Sequence, residues 1–335
     1  MGESGSERRK SQNKVTSEGW QGQLSLEFDY LPNPLNTETP KPAHDGTTRL
    51  IHSHGIAPLK VQRPFYPEGP RVCHSVIVHT AGGMVGGDRL QYALLIHPTA
   101  HALVTTAAAS KAYKSNGHVA HQSVHVSVAE GGCLEWLPQP LILFNGAQYQ
   151  QHLRVDLAPK AIWIGWDITR LGRTLRGESF DQGVWRSRLE VWQNGSPLWI
   201  DPQWVQGGSE MLTSLHGLAH CPVIGTFAIV GVTMSDNIVH QARQLWSETP
   251  DPLVRSDLTQ GNRQEMESVS SFPRLPMTGV SQLQAGLICR YRGASTIAAQ
   301  RWFMKVWHLL RQTYLSRPSC TPRVWQTSDH ARTLH

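Results

Sequence analysis

The stretch of most unusual composition is the glycine-rich segment Ala81–Leu90, AGGMVGGDRL, in which four glycines within six residues precede Asp88. Glycines at this density indicate positive φ angles or a close approach of the backbone to another group. Gly82 and Gly87 have the separation found in a Walker A phosphate loop, but that motif continues with Lys and Ser or Thr. A carboxylate at position 88 would instead repel phosphate. The segment predicts a tight β connection, with Asp88 either a turn residue or a charge held for a partner or a metal ion.

Carboxylates in apolar or glycine-rich surroundings form a second group of candidates. These are Glu135, Asp156, Asp167, Glu178 and Asp181. Asp167 stands inside the apolar run Ile164–Ile168, where a carboxylate must be paired, hydrogen-bonded or hydrated. One interpretation is a structural ion pair with Arg170 or Arg173. The other is an oxygen ligand for a divalent cation in transit.

The sequence contains none of the common catalytic or metal-binding motifs. GxSxG, GxGxxG, HEXXH and CxxC are all absent. His52 and His54 would share one face of a strand and could hold a metal, although ordinary surface histidines are the simpler interpretation. The five cysteines are far apart, which favours a reducing compartment.

Composition and charge exclude several functional classes for this 335-residue chain. The formal net charge is +6, but the basic residues are dispersed rather than arranged in the stripe typical of nucleic-acid binding. The best apolar run, Cys221–Met234, contains one proline and two glycines and is shorter than the ~20 residues that a bilayer requires. The N-terminus lacks the apolar segment of a secretory signal. We therefore expect a cytoplasmic protein without a membrane or nucleic-acid partner.

Alternation of apolar and polar residues dominates the chain after Trp20 and indicates strands with one buried face. It is clearest in the segments 24–28, 90–96, 124–128, 153–157 and 162–168. Asn194-Gly195 predicts a type I′ hairpin turn, and Glu130–Gly132 predicts a second reversal. Short strands at this spacing favour antiparallel pairing over βαβ units.

Two segments have helical periodicity instead. Residues 236–246 place their apolar residues on one helical face, with Ser235 or Asp236 as the N-cap. Residues 295–315 form a stronger amphipathic pattern that ends before Pro318, and we expect Trp302 and Trp307 to be core residues. The sequence thus predicts a mainly β fold, with large antiparallel, β-helix-like or sandwich-like sheets and a few α-helices toward the C-terminus. We expect one domain at 20–327, a flexible loop at about 248–271, a disordered polar tail at 1–19 and a second tail at 328–335.

The order of several motifs closely resembles the urease accessory protein D family, called H in some bacteria. The resemblance covers roughly Trp20 to Thr327. It is carried by six stretches: HTAGGMVGGDRL (79–90), VTTAAASKAYKSNGHVAHQ (104–122), LEWLPQPLILFNGAQYQQHLRVDLA (134–158), IGWDITRLGRTLRGESFDQG (164–183), GLICRYRGAS (286–295) and RPSCTPRVW (317–325).

The resemblance implies a mostly β maturation factor, a chaperone without enzymatic activity. Such proteins join an all-helical F-type partner and a G-type GTPase, and the complex docks on the urease apoprotein. GTP is then bound by the partner, and its hydrolysis drives insertion of nickel, which is a transient cargo with no tightly bound cofactor in this chain. An E-type metallochaperone supplies the nickel indirectly.

The resemblance also ranks the candidate carboxylates as weak nickel-transit residues. Asp88 and Glu178 fall in matched motifs, with Asp156 and Asp167 behind them. Asn145 stands where the family commonly has an acidic residue, which would weaken any transit step there. A β-fold hydrolase with a metal or a dispersed triad near Asp88 is the alternative from another class, and a nucleic-acid binder that uses the basic charge is a third.

Overall fold

A computed structural model of the chain describes residues 19–32, 46–249 and 276–325. The tail predicted at 1–19 lies outside the described residues except for Gly19. The loop predicted at 248–271 lies outside them except for its first two residues, and the tail at 328–335 lies wholly outside.

Two β-sheets build the molecule. The first, sheet A, has seven strands in the order β14-β13-β11-β8-β5-β1-β2. Its strands are β1 (Gln21–Pro32), β2 (Gly46–Ile56), β5 (Arg89–Ile96), β8 (Ala120–Val128), β11 (Gln148–Leu157), β13 (Val184–Gln193) and β14 (Ser196–Gln206).

The second, sheet B, has ten strands, eight of them in the order β16-β17-β15-β12-β9-β6-β4-β3. These are β3 (Leu59–Val61), β4 (Val72–His79), β6 (His101–Thr106), β9 (Cys133–Trp136), β12 (Ile162–Leu171), β15 (Val223–Val230), β16 (Met277–Leu283) and β17 (Gly286–Gly293). Two short strands, β7 (Ser110–Ala112) and β10 (Leu141–Leu143), pair with each other, and β10 also pairs with β12.

Most neighbouring strands run parallel, so the expected antiparallel pairing is wrong for the centre of sheet A and for β4, β6, β9 and β12 of sheet B. Among the described strands nine pairs are parallel and six are antiparallel. The chain alternates between the sheets, so successive strands of one sheet return in the same direction. The mainly β prediction is confirmed in its β-helix-like form, because this winding is solenoid-like.

The two predicted turns show how the winding arises. Asn194 and Gly195, with φ of 50° and 77°, join β13 and β14 as a hairpin, as predicted. Glu130–Gly132 is also a turn, with Gly131 at a φ of 69°. It connects β8 of sheet A to β9 of sheet B, however, so it is a corner between the sheets and not a hairpin.

One apolar core fills the space between the sheets, and a second lies between sheet B and two helices. The helices are α1 (Asp236–Ser247) and α2 (Thr296–Leu315). Ser295 caps α2 by accepting a hydrogen bond from the backbone N–H of Ala298 at 3.1 Å. Trp302 and Trp307 are fully buried in the second core, which confirms the prediction.

Candidate functional site

A polar layer interrupts the apolar core between the sheets, and Asp167 is at its centre. Asp167 lies on β12 of sheet B and accepts hydrogen bonds from Gln151 of sheet A and from Thr169, the latter at 3.2 Å. Gln151 also donates to the hydroxyl of Ser187 at 2.9 Å. Strand β11 of sheet A therefore supplies the amide that faces this carboxylate, and β13 supplies the hydroxyl that holds this amide. The ion pair expected with Arg170 or Arg173 is not how Asp167 is held, since Arg170 lies three residues along the strand, on the opposite face.

The polar layer borders a cavity of about 70 Å³ between the sheets. Aromatic rings of Tyr92, Trp136 and Tyr149 line it together with the polar groups of Gln151 and Asp167. A cavity of this size and polarity has room for a few water molecules or for one partly hydrated ion.

The burial of Asp167 determines its chemistry. Desolvation raises the pKa of its carboxyl to about 6, and the hydrogen bonds from Thr169 and Gln151 oppose this rise only in part. The charge of Asp201 raises the pKa further. A carboxyl with such a pKa exchanges a proton close to neutral pH.

The polar layer continues across sheet B to residues that the sequence analysis did not select. Asp167 is paired in register with Thr226 on β15, and Thr226 with Arg290 on β17. Arg290 donates to both carboxylate oxygens of Asp201 on β14, at 2.7 and 2.5 Å, and to Thr226 at 2.7 Å. The sequence does contain a signal that could have identified two of these residues: Thr226 and Arg290 are polar residues inside the otherwise apolar strands VIGTFAIV and GLICRYRG.

Asp88 fastens the glycine-rich turn. Its two carboxylate oxygens accept hydrogen bonds from the backbone N–H groups of Trp20 and Val85, both at 2.8 Å. A β-carbon at Gly86 would stand only 2.6 Å from the carbonyl oxygen of His118, so this glycine permits a close approach of two chain segments. The turn-residue interpretation therefore describes Asp88.

Glu178 is held in an ion pair after β12. Arg173 donates to it from Nε at 3.1 Å and from Nη2 at 2.5 Å, and the backbone N–H of Asn145 donates at 3.1 Å. The hydrogen bonds from Arg173 are the main reason why the pKa of Glu178 is lowered to about 2. Asn145 has a local role of its own, because its side-chain oxygen accepts from the backbone N–H of Gln182 at 2.8 Å.

Asp156 lies on the outer face of sheet A, on β11. Arg154 donates to both of its oxygens, at 3.1 and 2.9 Å, and Nε2 of His125 lies 2.8 Å away. The hydrogen bond from Arg154 is the largest cause of the lowered pKa of Asp156. This carboxylate therefore belongs to a surface ion-pair group.

The structure does not bring the four predicted transit residues into one site. Asp167 is between the sheets, Asp156 is on the outer face of sheet A, and Asp88 and Glu178 fasten separate loops. Within the described ranges no group of three His, Cys, Asp or Glu side chains is placed to hold a metal ion. His52 and His54 are exposed on β2, at the edge of sheet A.

A buried charge cluster joins sheet B to α2, and only one of its members, Glu135, stood out in the sequence. Arg311 of α2, fully buried, has its Nη2 2.7 Å from Glu68 and 3.4 Å from Glu135. Glu135 also has Nε2 of His101 at 2.6 Å and accepts from Nε1 of Trp307 at 2.5 Å. His74 contacts Glu68 at 2.7 Å.

The cluster keeps its carboxylates ionised despite their burial. Desolvation alone would raise the pKa of Glu135, but the hydrogen bond from His101 and the charge of Arg311 hold it below its ordinary value. The charges of Glu135 and Glu68 in turn raise the pKa of Arg311. The cluster spans α2, β4, β6 and β9, so it fixes the C-terminal helix on the sheet.

Fold and site together define a solenoid-like β protein with an internal polar layer and a helix locked onto one sheet. In the part of the chain that the structure describes, no helix is long and apolar enough to cross a bilayer. The sequence model of a family described as "UreD urease accessory protein" matches residues 36–326.

Individual relatives agree with the family match. A urease accessory protein UreD of Trichormus variabilis is 49% identical over 315 residues, which covers 94% of this chain and 99% of the relative. That of Nostoc sp. is 48% identical over 317 residues, 95% of this chain and 100% of the relative. That of Methylobacillus flagellatus is 35% identical over 308 residues, 92% and 95% respectively. The chain belongs to the UreD urease accessory protein family, and its role lies in urease maturation.

Proposed function

We propose that this chain is a scaffold without enzymatic activity of its own. It joins an F-type partner and a G-type GTPase to the urease apoprotein, and the complex inserts the nickel metallocentre. GTP is bound by the GTPase and not by this chain. An E-type metallochaperone delivers nickel to the complex indirectly. Membership of the family supports this proposal. The glycine-rich turn supports the statement about GTP, because it holds the carboxylate of Asp88, which would repel phosphate, on its backbone N–H groups.

We further propose that nickel crosses the interior of the chain as cargo and that Asp167 is a transit residue. The observation that carries this step is the cavity between the sheets, where one carboxyl with a pKa of about 6 faces amide and hydroxyl groups. Nickel(II) accepts carboxylate and neutral oxygen ligands. One carboxylate among neutral ligands binds a divalent ion weakly enough to release it.

We place the protein in the cytoplasm. None of the five cysteines, all of which lie within the described residues, is in a disulfide, and four of them, Cys73, Cys133, Cys221 and Cys289, are buried. Reduced cysteines are typical of a reducing compartment.

Co-purification tests the scaffold. The tagged chain is co-expressed with an F-type partner, a G-type GTPase and urease apoprotein. We expect all three to be retained and urease to become active when nickel, bicarbonate and GTP are added. Folded chain that retains none of them would contradict the proposal.

A variant of Asp167 tests the transit step separately. Asp167→Asn keeps the shape of the side chain but removes its charge. We expect the complex to assemble as before, while the nickel content and the activity of urease fall at least several-fold at limiting nickel. Glu130→Gln is the matched control, because Glu130 is an exposed carboxylate paired with Lys160. Equal nickel loading by both variants would leave the scaffold intact and remove Asp167 from the route.

A further inference from the structure

The outer face of sheet A carries side chains in straight rows, because its central strands are parallel and in register. We call the outward residues of β5, β8, β11 and β13 the ladder face. One row contains Arg89, His121, Gln150 and Arg186, and the next contains Gln91, Ser123, His152 and Arg188. A third contains Ala93, His125, Arg154 and Glu190, and a fourth Leu95, Ser127, Asp156 and Trp192.

The ladder face is basic. It has four arginines and three histidines against two carboxylates, so two positive charges remain in excess even with neutral histidines. Part of the small net positive charge of the chain is therefore concentrated on this one surface.

Both carboxylates of the ladder face are already neutralised by neighbours. Asp156 is held by Arg154 and His125. Glu190 accepts from Arg188 and, at 2.7 Å, from the indole N–H of Trp192.

The arginines in the first row remain available. Arg89 and Arg186 are exposed, and no carboxylate of the described residues is within salt-bridge distance of either. The excess charge therefore points into solvent.

An exposed tryptophan borders the ladder face on the last strand of the sheet. Trp204 on β14 is 57% exposed and is paired in register with Arg186 on β13. Ile200, 37% exposed, continues the same outward face of β14. Trp and Arg are enriched among the residues that dominate binding energy at protein interfaces. Because both residues lie on paired strands, only their side chains have to be ordered when a partner binds.

We propose that the ladder face with Trp204 is the surface on which this chain docks an acidic patch of the urease apoprotein, which rests on the proposed scaffold function. Arg186 and Arg89 pair with partner carboxylates, and Trp204 enters an apolar depression. Five strands about 4.8 Å apart give a face of roughly 20 Å by 25 Å. That is smaller than the ~800 Å² per partner of a standard stable interface. It suits a client that is bound, matured and released, more than a permanent subunit.

The chemistry of the face favours a protein over a nucleic acid. The face mixes both signs of charge and has only two positive charges in excess, whereas a nucleic-acid site typically has a continuous basic stripe. Trp192 is covered by the guanidinium of Arg154, 4.9 Å above its ring, so it offers no surface on which a base could stack.

Binding kinetics of the full-length chain test the proposal, with purified urease apoprotein as the probe. Arg186→Glu should slow association at least tenfold at low ionic strength, and the effect should shrink as salt is added. Trp204→Ala should accelerate dissociation at least tenfold at any salt concentration. Arg63→Glu, the same charge reversal at an exposed position beyond β3, is the control and should stay within twofold. Both test residues are exposed, and a thermal melt confirms that each variant is folded.

The possible results separate the two proposals. If the wild-type chain binds urease and both variants bind within twofold of it, the docking surface is wrong and the scaffold stands. If the variants lose the F-type partner but keep urease, the assignment to urease is overturned. Tighter binding of a single-stranded oligonucleotide than of urease, abolished by Arg186→Glu, would overturn the protein partner. If the wild-type chain retains neither urease nor accessory proteins, both proposals fall.

Discussion

Removing the charge of Arg311 should destabilise the protein strongly. Arg311→Met keeps much of the apolar volume in the core between sheet B and α2 but leaves Glu68 and Glu135 without the guanidinium between them. The side chain of Arg311 is completely buried, so water does not screen its charge. Breaking a buried ion pair from one side costs about 3–5 kcal/mol, because the remaining charge stays uncompensated.

The expected loss can be measured as a melting temperature. The entropy of unfolding is about 2.1 cal/mol/K per residue, so for a chain of this length it is roughly 0.7 kcal/mol/K. A loss of 3–5 kcal/mol then lowers Tm by about 4–7 °C. Differential scanning calorimetry at neutral pH measures it, with chemical denaturation as a second determination of the free energy of unfolding.

Two further variants make the reasoning refutable. Arg301→Met changes an exposed arginine of the same helix and should alter stability by no more than about 0.5 kcal/mol. Glu135→Gln combined with Arg311→Met should cost less than the sum of the single changes, because each removes the charge that the other leaves unpaired. If Arg311→Met costs less than about 1 kcal/mol, or if the two changes are additive, the cluster does not lock α2 onto the sheet.

Three other predictions concern pH and the backbone. Because the folded pKa of Asp167, about 6, is above that of the unfolded chain, its contribution to stability falls as pH rises from about 4 through 6. Asp167→Asn should remove a slope worth about 3 kcal/mol over that range, and an unchanged pH profile of unfolding would contradict the assignment. Glu178 has the opposite sign, with a folded pKa of about 2, so its contribution is complete above about pH 4.5 and is lost toward pH 2. In Glu178→Gln the acid unfolding curve should flatten in that window. Gly195→Ala, at a φ of 77°, should lower the free energy of unfolding by about 1 kcal/mol in chemical denaturation. Gly279→Ala is the control, because a β-carbon there also has nothing within 4 Å but no positive φ is involved, and it should cost less than Gly195→Ala.

The sequence was a good guide wherever the deciding interaction is local. The Asn194-Gly195 turn follows from the ease with which these two residues adopt positive φ. The second helix follows from the apolar stripe that includes Trp302 and Trp307, together with the cap at Ser295. Each depends on residues no more than a few turns apart, so a single chain segment contains the whole signal.

For the candidate site the sequence identified residues but not their surroundings. Asp167 stood out as a carboxylate in an apolar strand, and the structure places it between the sheets. Its expected ion pair was wrong, because the groups that donate to it are Gln151 of the other sheet and Thr169 of its own strand. Asp156 looked equivalent in sequence, yet its strand turns it to the outer face.

Alternation with a period of two determines that a strand has one buried face. The sequence by itself established these strand faces, the turns and the helices. It contains no information on the direction of the neighbouring strand, since parallel and antiparallel strands bury the same alternate residues. Tertiary structure decided that the chain winds between two sheets. It also brought Arg311 to Glu68, across 243 positions of the chain, because only the packed core removes water from both charges and makes their pairing necessary.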